Sequence, residues 1–230
     1  MQIQKFLLPI LLGLSVAPVR AKAENSASKN RPDFFVDTQY AITTTKSKLV
    51  ASNDMGTALR YGFGTYAGND LNLSFLLHFD HDVTNFALNS SKIDMNWQDT
   101  RIRYHLGIFY FGVLFSRLEM KASQQSGAVI DAAGSGIGGN TGLQFAIGHI
   151  GSAYLDIQTA SLSTMKNALD QTLSIKQRMD LDVGASIDLT AKLLDLTFGY
   201  KIRQLTIQTD SAYKEALYAT YFGLRFAFFF

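Results

Sequence analysis

The chain contains no cysteine and only 3 prolines. Without cysteine there is no disulfide framework, thiolate metal site, cysteine nucleophile or lipid anchor through an N-terminal Cys. Charge is scarce too, at 17% of residues against 47% hydrophobic, which excludes a disordered chain and a helical one built on Ala, Glu and Lys. After the first segment there is no apolar run near the length of a membrane helix. What abounds favours strands: 17 Phe, 10 Tyr and 18 Gly in 230 residues.

The first segment reads as an export signal. Lys5 supplies a positive start, Phe6 to Val19 is an apolar stretch interrupted by Pro9, and Ala21-Lys22-Ala23 has the small-x-small form of a cleavage site. A retained membrane helix needs roughly 20 apolar residues, more than this stretch offers. Cleavage after Ala23 removes Lys5, Arg20 and Lys22 and no acid, so the 21 bases fall to 18 against 19 acids. The near-neutral remainder carries no electrostatic signature of nucleic-acid binding.

Beyond the signal the pattern has period two, in which alternate side chains point to opposite faces of a strand. In the last segment Phe222, Leu224, Phe226, Phe228 and Phe230 share one face, while Tyr221, Gly223, Arg225 and Ala227 share the other. A globular protein gains little from an aromatic row at a free end. The segment resembles the final strand of bacterial outer-membrane β-barrel proteins, a small porin-like class in Gram-negative envelopes. That resemblance implies that Tyr221, Gly223, Phe226, Phe228 and Phe230 form the signal read by the barrel-insertion machinery. It also implies a place in the bacterial outer membrane, with lipid and lipopolysaccharide as surroundings.

Alternation and turn punctuation together predict ten strands, near 33–45, 56–67, 71–82, 93–106, 109–121, 140–148, 152–164, 174–189, 193–207 and 214–230. Short connections alternate with longer ones around 46–55, 83–92, 122–139, 165–173 and 208–213. An even strand count with loops sorted by length is expected of a barrel with both ends in the periplasm. The expected fold is therefore all-β: a closed antiparallel up-and-down transmembrane β-barrel over 33–230, after a signal peptide (1–23) and a periplasmic extension (24–32).

One face of these strands is apolar, with Val36, Tyr40, Phe63, Phe75, Phe111, Leu181 and Phe198 among its members. The other carries Arg60, Asp99, Arg101, Arg103, Arg178, Asp180, Asp182, Lys201, Arg203 and Arg225, together with Asp37 and Asp156. Charges of both signs in a narrow lumen are expected to pair into a network that partly plugs it, or to line a pore. Near Gln98 and Arg117 the alternation is imperfect, as a bulge or emergence above the membrane would make it. Trp97, Tyr110, Tyr154, Tyr218 and Tyr221 read as girdle aromatics at the membrane interface.

Two stretches invite chemistry. His78, Asp80 and Asp82 share the lumen face near the expected outer end of the third strand, a spacing that could orient a water or bind a cation. Ten strands and an Asp-x-Asp pair are similar to the omptin outer-membrane proteases. Those enzymes add an Asp-x-His dyad on a later strand, and this chain contains none. These three residues are accordingly the weak catalytic candidates, and an ordinary charged rim is the expectation. Gly134 to Gly139 has neither a strand-turn-helix setting nor a P-loop Lys, and reads as a mobile outer loop. No metal and no cofactor is expected.

Three functions fit. The first is a non-enzymatic integral outer-membrane protein with a structural or surface-interaction role. The second is a narrow passive channel for small solutes or ions. The third is an outer-membrane hydrolase using the His78 cluster. No loop sequence names a ligand.

Overall fold

The computed structural model describes residues 32–46, 55–67, 73–88, 91–124, 129–148, 150–163, 165–166, 172–190, 193–208 and 212–229. The expected signal peptide, nearly all of the extension after it, and Phe230 lie outside the described residues.

Ten long strands form one sheet: β1 (Phe34–Lys46), β2 (Met55–Ala67), β3 (Leu73–Leu88), β4 (Ser91–Leu106), β5 (Phe109–Gln124), β6 (Val129–Ile147), β7 (Gly151–Leu162), β9 (Thr172–Asp188), β10 (Leu194–Gln208) and β11 (Ala212–Phe228). A two-residue strand, β8 (Met165–Lys166), pairs with the start of β9. Each long strand runs antiparallel to its neighbours in chain order. The sheet closes where β1 pairs with β11, from Phe34 opposite Phe228 to Lys46 opposite Ala216. Closure removes the unpaired edges an open sheet would expose. An even number of long strands brings both chain ends to one end of the barrel, where the Asp33 amide donates to the Phe228 carbonyl at 2.9 Å. We call this the terminal end and the opposite one the far end.

At the terminal end two hairpins turn on Gly107 (φ +61°) and Gly148 (φ +56°). Both occupy the left-handed region that costs a residue with a Cβ.

The far end differs from the sequence reading. The expected loop at 83–92 is almost entirely strand, since β3 runs to Leu88 and β4 starts at Ser91. The expected loop at 122–139 is mostly β6, so Gly134–Gly139 lies in a strand hydrogen-bonded to β5 on one side and, from Gly136, to β7 on the other. These glycines allow close approach: a Cβ on Gly136 would meet the Ser161 carbonyl oxygen at 1.7 Å, and one on Gly138 the Thr159 oxygen at 1.8 Å. The asymmetry between the ends therefore lies in how far the strands extend. Nor does the phase slip at Gln98 and Arg117, which face each other in an unbroken β4–β5 register. Among the described residues the register shifts once, between Thr206 and Ile207 of β10 against β9.

Candidate functional site

Outward side chains form an apolar belt around the terminal two-thirds of the barrel, from Val36, Tyr40 and Ile42 on β1 through Phe75, Phe111 and Phe198 to Phe222, Phe226 and Phe228 on β11, all exposed. Rings pack along it, Phe63 on Phe79 at 5.4 Å and Phe75, Tyr104 and Phe111 in a row at 5.0 and 5.4 Å. Such a surface costs free energy in water and none against hydrocarbon.

The ion pairs of the inward row join Arg60, Arg101, Arg103, Arg178, Lys201, Arg203 and Arg225 to Asp37, Asp80, Asp82, Asp99, Asp156, Asp180 and Asp182. Arg178 is at the centre. It donates Nη1 to Asp99 Oδ1 at 2.7 Å and Nη2 to Asp99 Oδ2 at 2.6 Å, then Nε and Nη2 to Asp180 at 3.1 and 2.6 Å. Arg203 Nε also reaches Asp180, at 3.1 Å, and its Nη1 lies 3.5 Å from Asp82. Arg60 binds Asp80 at 3.1 Å and approaches Asp182 at 3.6 Å. Arg101 pairs with Asp80, Arg103 reaches Asp156 at 2.6 Å, and Arg225 lies 3.4 Å from Asp37. A buried charge is tolerated only when partnered in this way.

Both faces change character at one level toward the far end. Along β5 the outward row runs Phe111, Val113, Phe115 and then Arg117, Glu119, Lys121, while the inward row passes from Ser116 to Leu118. On β10, Arg203 gives way inwardly to Leu205 and Ile207, and outwardly Ile202 gives way to Gln204. On β4 the inward Asp99 is followed by Trp97 and the outward Ile102 by Thr100, Gln98 and Asn96. The inward apolar residues form one cluster comprising Phe86, Trp97, Leu114, Leu118, Ala132, Ala160, Leu162, Ile175, Leu205, Ile207 and Leu217. On these three strands the wall below this level is apolar outside and mainly charged inside, and above it polar outside and apolar inside. That explains the irregular pattern at Gln98 and Arg117: polarity inverts while the phase holds.

Trp97 sits at the junction. Its side chain is 1% exposed, with the Arg178 and Arg203 guanidinium carbons 4.5 and 4.4 Å from its ring centre, a cation–π geometry. It is not a girdle residue. Tyr110 and Tyr221 are likewise buried inward, and Tyr154 hydrogen-bonds Tyr221 in the interior, so of the five expected girdle aromatics only Tyr218 faces outward. The pattern missed this because a large inward aromatic needs small residues beside it, which register with the neighbouring strands supplies. Tyr221 fits over Gly184 and Gly199, and Tyr110 over Gly142.

Little space remains. A cavity of about 40 Å³ is lined by Ala41, Thr43, Ala58, Asp82, Lys201 and Arg203, among others. A second of about 60 Å³ lies among Asp37, His78, Arg101, Arg103, Tyr154 and Asp156. Gln39 and Arg60 line both. Each holds a few waters at most.

The His78 cluster does not lie at a rim, because β3 continues six residues past Asp82. His78 Nε2 is 3.5 Å from Asp37, Asp80 is shared by Arg60 and Arg101, and Asp82 accepts from Thr84 at 2.9 Å and faces Lys201 and Arg203. The three residues are thus engaged with different partners. At the last strand, Tyr221 and Gly223 point inward and Phe226 and Phe228 outward.

No protein-family model and no curated protein matches the chain. Among solved structures it is similar to Neisserial surface protein A (12% identity, 85% of this chain and 97% of that one, TM-score 0.44). It is also similar to the translocator domain of the autotransporter NalP from Neisseria meningitidis (14%, 98% of each chain, 0.45) and to the beta domain of the Bordetella autotransporter BrkA (7%, 85% and 100%, 0.49). Identities this low carry no function from those proteins to this one. An apolar belt around a closed, charge-filled barrel of ten long strands makes this chain a transmembrane β-barrel of the outer-membrane type.

Proposed function

We propose that the protein is a non-enzymatic integral component of the bacterial outer membrane, whose barrel holds its far end rigidly at the cell surface for a structural or surface-interaction role. On this reading residues 1–23 are removed during export, and the last strand, ending at Phe230, is the segment the insertion machinery reads. The observation that carries the reading is the occupied interior: paired charges lie beneath an apolar cap, with cavities of about 40 and 60 Å³ among them. A catalytic role is disfavoured because His78, Asp80 and Asp82 are buried, with His78 against Asp37 while Asp80 and Asp82 pair with different cations. A narrow passive channel is the second reading, favoured by the two cavities meeting at Gln39 and Arg60.

Single-channel recording on residues 24–230, refolded from detergent into a planar bilayer, tests the choice. With insertion verified by the mobility shift that boiling produces in a folded barrel on a gel, the bilayer is expected to stay silent. Discrete steps whose ion preference changes when Arg101 and Arg103 are neutralised would replace this reading with the channel.

A further inference from the structure

Five successive inward side chains of β1 line the two cavities in order. Phe35, Asp37 and Gln39 border the cavity of about 60 Å³, and Gln39, Ala41 and Thr43 border that of about 40 Å³. From Phe35 to Thr43 the strand covers roughly 27 Å, so the cavities follow one another along this wall. The apolar cap stands to one side of it. Its described members come from β3 to β7 and β9 to β11, whereas β1 and β2 turn Ala41, Thr43, Thr45 and Ala58 inward. These small or hydroxyl-bearing residues are in register with the cap, since Thr45 is opposite Leu217 on β11.

Arg60 stands between the cavities, and with Gln39 it lines both. Its Nε donates to Asp80 at 3.1 Å and its Nη1 to Gln39 Oε1 at 3.3 Å, while Nη1 lies 3.6 Å from Asp182. Asp182 is on β9, which does not neighbour β2, so the side chain is a bar across the lumen. The bar is loosely held. Arg178, 0% exposed, approaches Asp99 and Asp180 to 2.6 Å, whereas Arg60 makes its contacts at the longer distances above and keeps 12% exposure.

We propose that Arg60 is a latch on a path for water and small monovalent ions that runs along the β1 and β2 wall. The inference rests on the reading above of a barrel closed at rest, and names what closes it. An arginine side chain has several staggered rotamers, and one that leaves Asp182 joins the cavities. The path then runs between fixed charges, Asp82 and Lys201 beside one cavity and Asp37 and Arg225 beside the other, which take the place of an ion's lost hydration. Cavities of a few waters exclude sugars and amino acids. Arg178 and Asp99 line neither cavity, so the tight part of the network keeps its place when Arg60 moves.

Single-channel recording on refolded residues 24–230, with folding verified by boiling-dependent gel mobility, tests the latch. The chain has no cysteine, so Arg60→Cys introduces a single thiol. The parent should be silent and Arg60→Cys should show discrete steps, abolished when a cationic methanethiosulfonate reagent restores a positive group at position 60. Arg60→Lys keeps a cation for Asp80, but a point charge does not span Gln39 and Asp182 as well; it should open in brief steps, and it carries the test if Arg60→Cys fails to fold. The double variant Arg178→Met/Asp99→Leu removes a lumen ion pair outside both cavity linings and should stay silent. Silence of the folded Arg60 variants overturns the latch and leaves the plugged barrel standing. Steps that persist after the thiol has reacted, or equal steps in Arg178→Met/Asp99→Leu, overturn the latch as well. Steps in the parent overturn the closed reading, and the latch with it.

Discussion

Arg178 on β9 and Asp99 on β4 are 79 residues apart and on strands that do not pair, yet they meet inside the barrel through two parallel hydrogen bonds of 2.7 and 2.6 Å. The pair fastens one wall of the barrel to another, and Asp180 and Ser116 complete the guanidinium's partners at 2.6 and 2.7 Å. Breaking a buried pair leaves an uncompensated charge, which typically costs about 3–5 kcal/mol. Arg178→Ala should therefore lower the urea midpoint of the refolded barrel sharply. The double variant Arg178→Met/Asp99→Leu should recover much of the loss, because it removes both charges. If Arg178→Ala unfolds at the parent midpoint, the tie contributes nothing to stability.

Trp97 is the chain's one tryptophan and faces inward between two guanidinium groups. Its fluorescence in vesicles should be almost untouched by brominated lipid, since the wall of the barrel separates it from the acyl chains. Strong quenching would mean that the ring points into the membrane and that the inward assignment of β4 is wrong.

The level of polarity inversion predicts a depth profile for inserted charge. Val113→Lys, in the belt, should destabilise by about 2–4 kcal/mol and Ser135→Lys, above it, by about 0–1 kcal/mol. Equal costs would dispute the membrane boundary drawn between Phe115 and Arg117.

Inside the far third the rules of a soluble core return. Leu118→Ala opens a space in the apolar cluster and should cost about 2–5 kcal/mol, measured by urea unfolding in detergent. A cost under about 0.5 kcal/mol, the range of ordinary surface substitutions, would mean that the cluster is not a packed core.

Gly199 and Gly107 separate two uses of glycine. A Cβ on Gly199 would sit 2.3 Å from the Tyr221 hydroxyl oxygen and 2.4 Å from the Val183 carbonyl oxygen, and the second obstacle is backbone. Gly199→Ala should lose about 1–3 kcal/mol by overpacking, and Tyr221→Phe should not rescue it. Gly107→Ala meets nothing within 4 Å, so it should cost only the left-handed backbone term, about 1–2 kcal/mol. Denaturation midpoints of the three variants distinguish the cases.

Much of the barrel was legible along the chain because a strand displays its environment locally. Phe222, Leu224, Phe226 and Phe228 against Tyr221, Gly223, Arg225 and Ala227 declare two faces without reference to any other strand. The same alternation sorted Asp99, Arg101 and Arg103 to one side of β4, and ten such segments imply a barrel that closes. The far third was not legible by that rule. Along β6 the inward Ala132, Gly134, Gly136 and Gly138 alternate with outward Ala133, Ser135 and Ile137, so small residues on both faces leave no clear two-residue period and the stretch reads as punctuation between strands. Only the pairing of β6 with β5 and β7 makes it sheet.

Sequence alone thus determined that the chain makes amphipathic strands, which face is apolar and which charged, because the two-residue period is a property of local backbone geometry. Tertiary structure decided which charges pair, where Trp97 and Tyr221 point, and the level at which the wall changes polarity. Those depend on which distant strands closure brings together across the interior, and no local pattern encodes a contact such as that of Arg178 with Asp99.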